Sequence, residues 1–190
     1  MKILIADDES IIRMGLKAML NEMGHEVLTA VNGREALNMA RTHHPDMAIL
    51  DIKMPYTDGL TAAKTLARTQ PMPILLLTAF SEQDLIEKAT DLPIQGYLIK
   101  PIKPEELTAA IAIARKRFAD AQQLNQRAAQ LAETLETRKL VDRAKGILMA
   151  GGLTEEQAYR VLQQTARANR QPIGDVARAV IKQKKIPPQG

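Results

Sequence analysis

Through the first hundred residues, short runs of branched apolar side chains alternate with longer segments whose apolar positions recur every three or four residues. The runs Lys2–Ala6, Glu26–Ala30, Asp46–Leu50, Pro73–Leu77 and Gln95–Ile99 have the length and composition of buried strands. Between them, Ile11, Ile12, Leu16, Met19 and Leu20 fall on one helical face, and Ala36, Leu37, Met39 and Ala40 on another. Turn residues punctuate the segments at Gly24, Asn32-Gly33, His44-Pro45, Asp58-Gly59, Gln70-Pro71 and Asp91-Leu92-Pro93. Strict alternation of strand and helix requires parallel pairing, right-handed crossovers and helices on both faces. Five such units predict an α/β domain built on a doubly wound five-stranded parallel sheet, in the order 2-1-3-4-5.

The pattern changes at Pro104. Proline suits the first turn of a helix, and Glu105 and Glu106 suit its positive end. No Pro or Gly interrupts residues 105–145. Leu107, Ile111, Ala114, Phe118, Ala121, Leu124, Ala128, Leu131 and Leu135 step by three and four, a heptad-like seam with one stammer near Ala121. A helix of about 30 residues, ~45 Å long, would carry this stripe. The stripe needs a cover: a second copy in a coiled coil is the simplest, and a helix folded back on its own chain is the alternative. Beyond Glu136 the stripe continues through Leu140, Val141, Ala144, Ile147 and Leu148 and stops at Gly151-Gly152. Thr154-Glu155-Glu156-Gln157 reads as a capping box opening a second helix, with Ala158, Val161, Leu162 and Ala166 inward. Pro172 opens a third, with Ile173, Val176, Ala177, Val180 and Ile181 inward. The expected division is an α/β domain at 1–118, a helical linker at 119–137, a three-helix module at 138–182 and a frayed tail at 183–190.

The chain has 190 residues, 45% hydrophobic and 25% charged, a globular composition. It has no cysteine, which excludes disulfides, thiolate zinc sites and a cysteine nucleophile, and fits a reducing compartment. His25, His43 and His44 lack metal-ligand spacing. The longest apolar runs fall far short of the ~20 residues of a membrane span, and MKILIADDES is no signal peptide. A cytoplasmic chain without a membrane partner is expected. Charge is divided unevenly: residues 1–103 carry net −2 and residues 104–190 net +6. Two modules with different partners are implied. The basic half could face nucleic acid or an acidic surface, or be a solvated helix surface.

Ligands of open α/β sheets bind at the carboxyl ends of the strands. Asp7 and Asp8 follow the first expected strand and Asp51 the third, neighbours in this strand order. Carboxylates crowded into one crevice repel unless a cation joins them. Mg2+ fits, because it accepts one or two carboxylates, keeps waters and binds phosphate oxygens. Thr78 follows the fourth strand and Lys100 the fifth, bringing a hydroxyl and an ammonium to the same rim. Phosphoryl transfer onto a carboxylate requires this set of groups. Capping of loops by strand-end Asp residues is the plainer alternative.

Asp7-Asp8-Glu9, Asp51-Ile52-Lys53-Met54-Pro55, Asp58-Gly59, Thr78-Ala79 and Gly96-Tyr97-Leu98-Ile99-Lys100-Pro101 give residues 1–118 a pattern that resembles the receiver domain of two-component response regulators. The resemblance implies phosphorylation of Asp51 by a sensor histidine kinase. It implies Mg2+ held by Asp8, Asp51 and the Lys53 carbonyl with Asp7 assisting, and phosphoryl oxygens bound by Thr78 and Lys100. It also implies a cis Lys100-Pro101 bond and an aromatic switch at Tyr97, for which a half-buried strand aromatic is the bland alternative. Such a chain is a phosphoacceptor regulator assisting its own phosphoryl transfer, not an enzyme.

In the basic module, Arg138, Lys139, Arg143, Lys145, Arg160, Arg167 and Arg170 gather on the first two helices. Tyr159, the module's one aromatic residue, could stack an unpaired base or belong to the core. Arg138 through Met149, Thr154 through Tyr159 and Asp175-Val176-Ala177 resemble the ANTAR domain, the RNA-binding module of AmiR/NasT-type antiterminators, over residues 130–182. The motif positions are Ala144, Lys145, Gly146, Ala158 and Tyr159. The chain departs from the family in a shorter, less charged turn at Ala150-Gly151-Gly152-Leu153 and in lacking a methionine after Ala166. The resemblance implies binding of paired hairpins in a nascent leader transcript, so that a terminator does not form, by a homodimer favoured by phosphorylation. Lys145, Tyr159, Arg160 and Arg167 are the candidate RNA contacts. A phospho-dependent protein adaptor and a DNA-binding transcription factor are the alternatives.

Overall fold

The computed structural model describes residues 1–79 and 93–183. It forms two compact units, Met1–Gln122 and Gln123–Gly190. The elements are β1 (Lys2–Ala6), α1 (Ser10–Glu22), β2 (Glu26–Ala30), α2 (Gly33–His43), β3 (Met47–Asp51), α3 (Gly59–Thr69), β4 (Ile74–Thr78), β5 (Gly96–Ile99), α4 (Pro104–Ala150), α5 (Glu155–Ala168) and α6 (Ile173–Gln183). The five strands are parallel in the order β2-β1-β3-β4-β5, as the alternation predicts. The helix expected between β4 and β5 falls on residues 80–92, and most of the expected frayed tail on 184–190; both lie outside the described residues.

Strand periodicity divides the core of the first unit into two layers. Leu4, Ala6, Ala48, Leu50, Ile74 and Leu76 face α2 and α3, whose inward positions are small: Ala36, Ala40, Ala62 and Ala63. Ile3, Ile5, Met47, Ile49, Leu75 and Leu77 face α1, through Leu16 and Leu20, and the first turns of α4, through Leu107, Ile111 and Ala114. Burial on both faces makes the strands near-continuous apolar runs.

Two strands sit one residue later than the sequence pattern places them. Asp46 N–H still donates to the Lys2 carbonyl at 2.8 Å, but the Lys2 N–H goes to the Asp46 side chain at 2.7 Å, so regular pairing starts at Met47; Pro73 has no N–H to give. Asp51 pairs with Leu77 and Thr78 with Ile99, so both are the last residues of their strands rather than the first beyond them.

The long helix is also longer than expected. Linker and first module helix are one element of 47 residues, Pro104–Ala150. The sequence contains no proline to break it, and Gly146 is accommodated in its interior. Every residue from 119 to 136 is exposed. Leu124, Leu131 and Leu135 are 64%, 63% and 51% exposed, so nothing in the described chain covers the middle of the seam.

In the second unit Val141, Ala144 and Leu148 of α4, Ala158, Leu162 and Ala166 of α5, and Val176, Ala177 and Val180 of α6 form one core. The capping box is present in full: Thr154 Oγ1 accepts the Gln157 N–H at 3.2 Å, and Gln157 Oε1 accepts the Thr154 N–H at 2.9 Å. Gly152, at φ +100°, makes the turn before it.

Candidate functional site

Strand register gathers the acidic residues. Ala6 pairs with Leu50, which puts Asp7 beside Asp51; Asp51 pairs with Leu77, and Thr78 with Ile99, which brings Lys100 alongside. Lys100 Nζ lies 2.7 Å from Asp51 Oδ1, 2.8 Å from Asp7 Oδ2 and 3.4 Å from Glu9 Oε1. The Lys100-Pro101 bond is cis. Asp7 is wholly buried, Asp51 nearly so, and Asp8 is exposed at the mouth.

Around this cluster the loops are tied down by main-chain bonds. Glu9 N–H donates to Asp7 Oδ1 at 2.8 Å. Arg13 donates to the carbonyls of Asp7 and Asp8 at 2.8 and 2.9 Å, pinning the chain that presents both acids. Gly59 N–H donates to the Ile52 carbonyl at 3.0 Å, and a Cβ at Gly59 would overlap the Asp51 main-chain oxygen. Asp58 caps α3 by accepting the Thr61 N–H at 2.6 Å. Arg13, Glu9 as a partner of Lys100, and the close approach of Gly59 have no signal in hydrophobic periodicity; the motif residues Glu9 and Asp58-Gly59 mark the region but not the contacts.

Burial pushes the Asp51 carboxyl up to about 6; the Lys100 ammonium pulls it back, and the Asp7 and Asp8 charges push it further up. Burial works against the Lys100 charge, yet its hydrogen bonds to Asp51 and Asp7 hold it above the ordinary lysine range. Two observations fit a divalent cation. Asp7, Asp8 and Asp51 each offer an oxygen within 4.8 Å of the others. Asp7 Oδ2 is buried against the Lys100 ammonium at 2.8 Å, and a carboxylate oxygen with one such partner keeps a lone pair for a cation. Beside them opens a cleft of about 510 Å3 lined by Asp8, Ile52, Lys53, Met54, Pro55, Asp58 and Leu60, where the Lys53 carbonyl lies within the same loop. Thr78 is buried, and its hydroxyl donates to the Ala79 carbonyl at 3.1 Å. Tyr97, on the edge strand, is half exposed.

The candidate contacts of the second unit differ among themselves. Lys145 is largely covered, and its Nζ lies 2.8 Å from both Asp142 Oδ1 and Glu155 Oε1. It therefore ties α4 to the start of α5. Tyr159 is 43% exposed, which removes it from the core. Arg160 pairs with Glu156 at 2.9 Å. Arg167 is exposed on the same side of α5, two turns on.

Comparison with known proteins finds two families along the chain. Residues 3–112 match the family model of the response regulator receiver domain, and residues 129–181 that of the ANTAR domain. The transcriptional regulatory protein PdtaR of Mycobacterium tuberculosis is 44% identical over 182 residues, 95% of this chain and 89% of its own length. The probable transcriptional regulator ycf27 of Galdieria sulphuraria is 41% identical over 118 residues, 61% of this chain and 46% of that protein. Among solved structures, a response regulator receiver domain protein from Clostridium thermocellum superposes with a TM-score of 0.58 at 34% identity, covering 61% of this chain and 94% of its own. Among the described residues no helix is long and apolar enough to cross a membrane.

Proposed function

The chain belongs to the response-regulator receiver family and carries an ANTAR domain behind its receiver, and from that premise we propose that it takes a phosphoryl group from a histidine kinase on Asp51 and thereby controls binding to hairpins in nascent RNA, preventing transcription termination. It is a regulator rather than an enzyme. The observation that carries the reading is the meeting of Asp7, Asp8, Asp51 and Lys100 at the carboxyl ends of three strands, β1, β3 and β5.

Asp51 is the acceptor. It is the last residue of a buried strand, fixed from behind by the Gly59 contact, so its outer oxygen meets a donor phosphorus with little freedom to turn away. Lys100, charged across the neutral range, binds an oxygen of the arriving group and neutralises charge as it transfers. Thr78 exchanges its bond to the Ala79 carbonyl for one to a phosphoryl oxygen, and Tyr97 follows as the switch. Asp8, Asp51 and the Lys53 carbonyl, with Asp7 assisting, are the groups that would hold Mg2+. When bound, that ion neutralises the crowded carboxylates and the transferring phosphoryl group.

In the second unit we assign RNA contact to Tyr159, Arg160 and Arg167, with Lys145 at the edge of that surface through its two ion pairs. Exposure of an aromatic ring beside arginines supports stacking and phosphate contact. The length over which PdtaR matches, described as a transcriptional regulatory protein, supports a regulatory output from the whole chain. The uncovered seam of α4 supports a homodimer on activation. The receiver, linker and ANTAR divisions 1–118, 119–137 and 138–182 are part of the same proposal. A gel-shift series with hairpin RNA and unrelated duplex DNA, with and without beryllium trifluoride, tests it. RNA binding that is strengthened by the adduct and weakened steeply by salt is the expected result; equal affinity for the duplex DNA refutes it.

A further inference from the structure

Arg170, in the turn between α5 and α6, is an exposed arginine in a place where the backbone asks for glycine. The end of α5 closes as a Schellman turn: Gln171 N–H donates to the Ala166 carbonyl at 3.0 Å and Arg170 N–H to the Arg167 carbonyl at 3.2 Å. That puts Arg170 at φ +50°, the left-handed position that glycine fills without steric cost and a long side chain does not. Where the same unit needs positive φ before α5, it uses Gly152 at φ +100°. His44, a left-handed residue of the first unit, has a local reason: its ring contacts Gln70 at 3.3 Å, joining α2 to the end of α3. Arg170 has none. Its side chain makes no ion pair or hydrogen bond among the described residues, and it is exposed. A strained residue without a local return points to a function elsewhere.

We propose that Arg170 is a contact for an RNA backbone phosphate; the inference rests on the RNA-binding reading given above. Its surroundings fit that ligand. Ala158, Leu162, Thr165 and Ala166 turn one side of α5 to the core, and Tyr159, Arg160, Gln163 and Arg167 lie away from those buried positions. Arg160 and Arg167 are two helical turns apart, and Arg170 follows three residues after Arg167, just past the helix end. The acidic residues of α5, Glu155 and Glu156, sit in its first turn, so the C-terminal half carries only positive charge. A polyanion that reached Arg167 would find Arg170 three residues on, paired to nothing among the described residues.

A purely local role at the helix C-terminus is the competing explanation, since a cation there interacts favourably with the helix dipole. Two variants separate them. Arg170→Gly removes the charge and relaxes the turn, and Arg170→Asn removes the charge while tolerating the left-handed backbone. RNA stem-loops are first enriched from a random-loop pool on the full-length chain with beryllium trifluoride and Mg2+. Affinity is then measured across a salt series for the three proteins, and thermal melting alongside. Both variants are expected to bind roughly 3- to 10-fold more weakly near physiological salt, with the salt slope shallower by about 0.7–0.9 per protomer. Arg170→Gly is expected to melt higher, by roughly 2–4 °C. Unchanged affinity and slope in both variants overturn the inference while leaving RNA binding intact, and so does a lowered melting point with unchanged slope. Failure of the unsubstituted chain to enrich any RNA overturns the RNA-binding reading and the inference with it.

Discussion

Asp51 occupies its place at a cost to the fold. Burial and two neighbouring carboxylates raise its folded-state pKa to about 6 against an ordinary 3.8, despite Lys100. An acid shifted upward on folding stabilises the native state below the unfolded pKa, and that contribution is lost as pH rises through the folded one. Ionised Asp51 is therefore destabilising at neutral pH in metal-free protein. Asp51→Asn is expected to raise stability by on the order of 1–2 kcal/mol above about pH 6 and by little below about pH 4; denaturant melts with chelator at both pH values check this, and a loss at neutral pH would mean that the Lys100 pair dominates. Gly59 acts on the same residue from behind. Gly59→Ala is expected to cost about 2–3 kcal/mol, because the added methyl meets the Asp51 main-chain oxygen rather than a flexible side chain. Equilibrium unfolding measures it, and a neutral result would show that the loop yields. The acids, Thr78 and Lys100 were legible because each stands at a strand end, and strand ends follow from apolar runs. Arg13 and the Glu9–Lys100 pair were not, because they depend on how the loop after β1 turns, which no periodicity encodes.

Among the elements, α4 is where reading from sequence was both most and least successful. Its start at Pro104, its seam and its end near Gly151 were legible, since proline, glycine and three-to-four spacing are strong local signals. Its continuity through residue 137 was not, because a change of partner along a helix leaves no mark on the helix itself. Leu107 to Ala114 pack on the sheet, Val141 to Leu148 pack on α5 and α6, and Leu124 and Leu131 pack on nothing in the described chain. Replacing Leu124 and Leu131 by Glu is expected to abolish self-association while leaving the melting of the monomer within about 0.5 kcal/mol, as for exposed substitutions. Sedimentation velocity decides it; an unchanged sedimentation coefficient in the activated protein removes the seam from the interface. Lys145 shows the opposite limit. Its motif position was readable, but its pairing with Glu155, ten residues on and across a turn, depends on tertiary closure.

At the scale of the whole molecule, charge and function divide along the same line. The first 103 residues are net acidic and the remainder net basic; the acidic part holds the cluster of Asp7, Asp8 and Asp51, and the basic part is the one proposed to meet a polyanion. The receiver match ends at residue 112 and the ANTAR match begins at 129; the intervening residues are all helix, and from 119 they are exposed. A phosphoryl group at Asp51 can act on RNA only by shifting an equilibrium between two arrangements with different RNA affinity, and self-association through α4 is the equilibrium we propose for it. All of this presupposes that Asp51 accepts phosphate. The direct test is mass spectrometry of the full-length chain after incubation with a phosphoramidate donor, with Mg2+ or with chelator. One phosphoryl group on the peptide holding Asp51, present only with the metal and absent from Asp51→Asn, is the expected result; a group on another residue, or incorporation that ignores the metal or the substitution, would refute it.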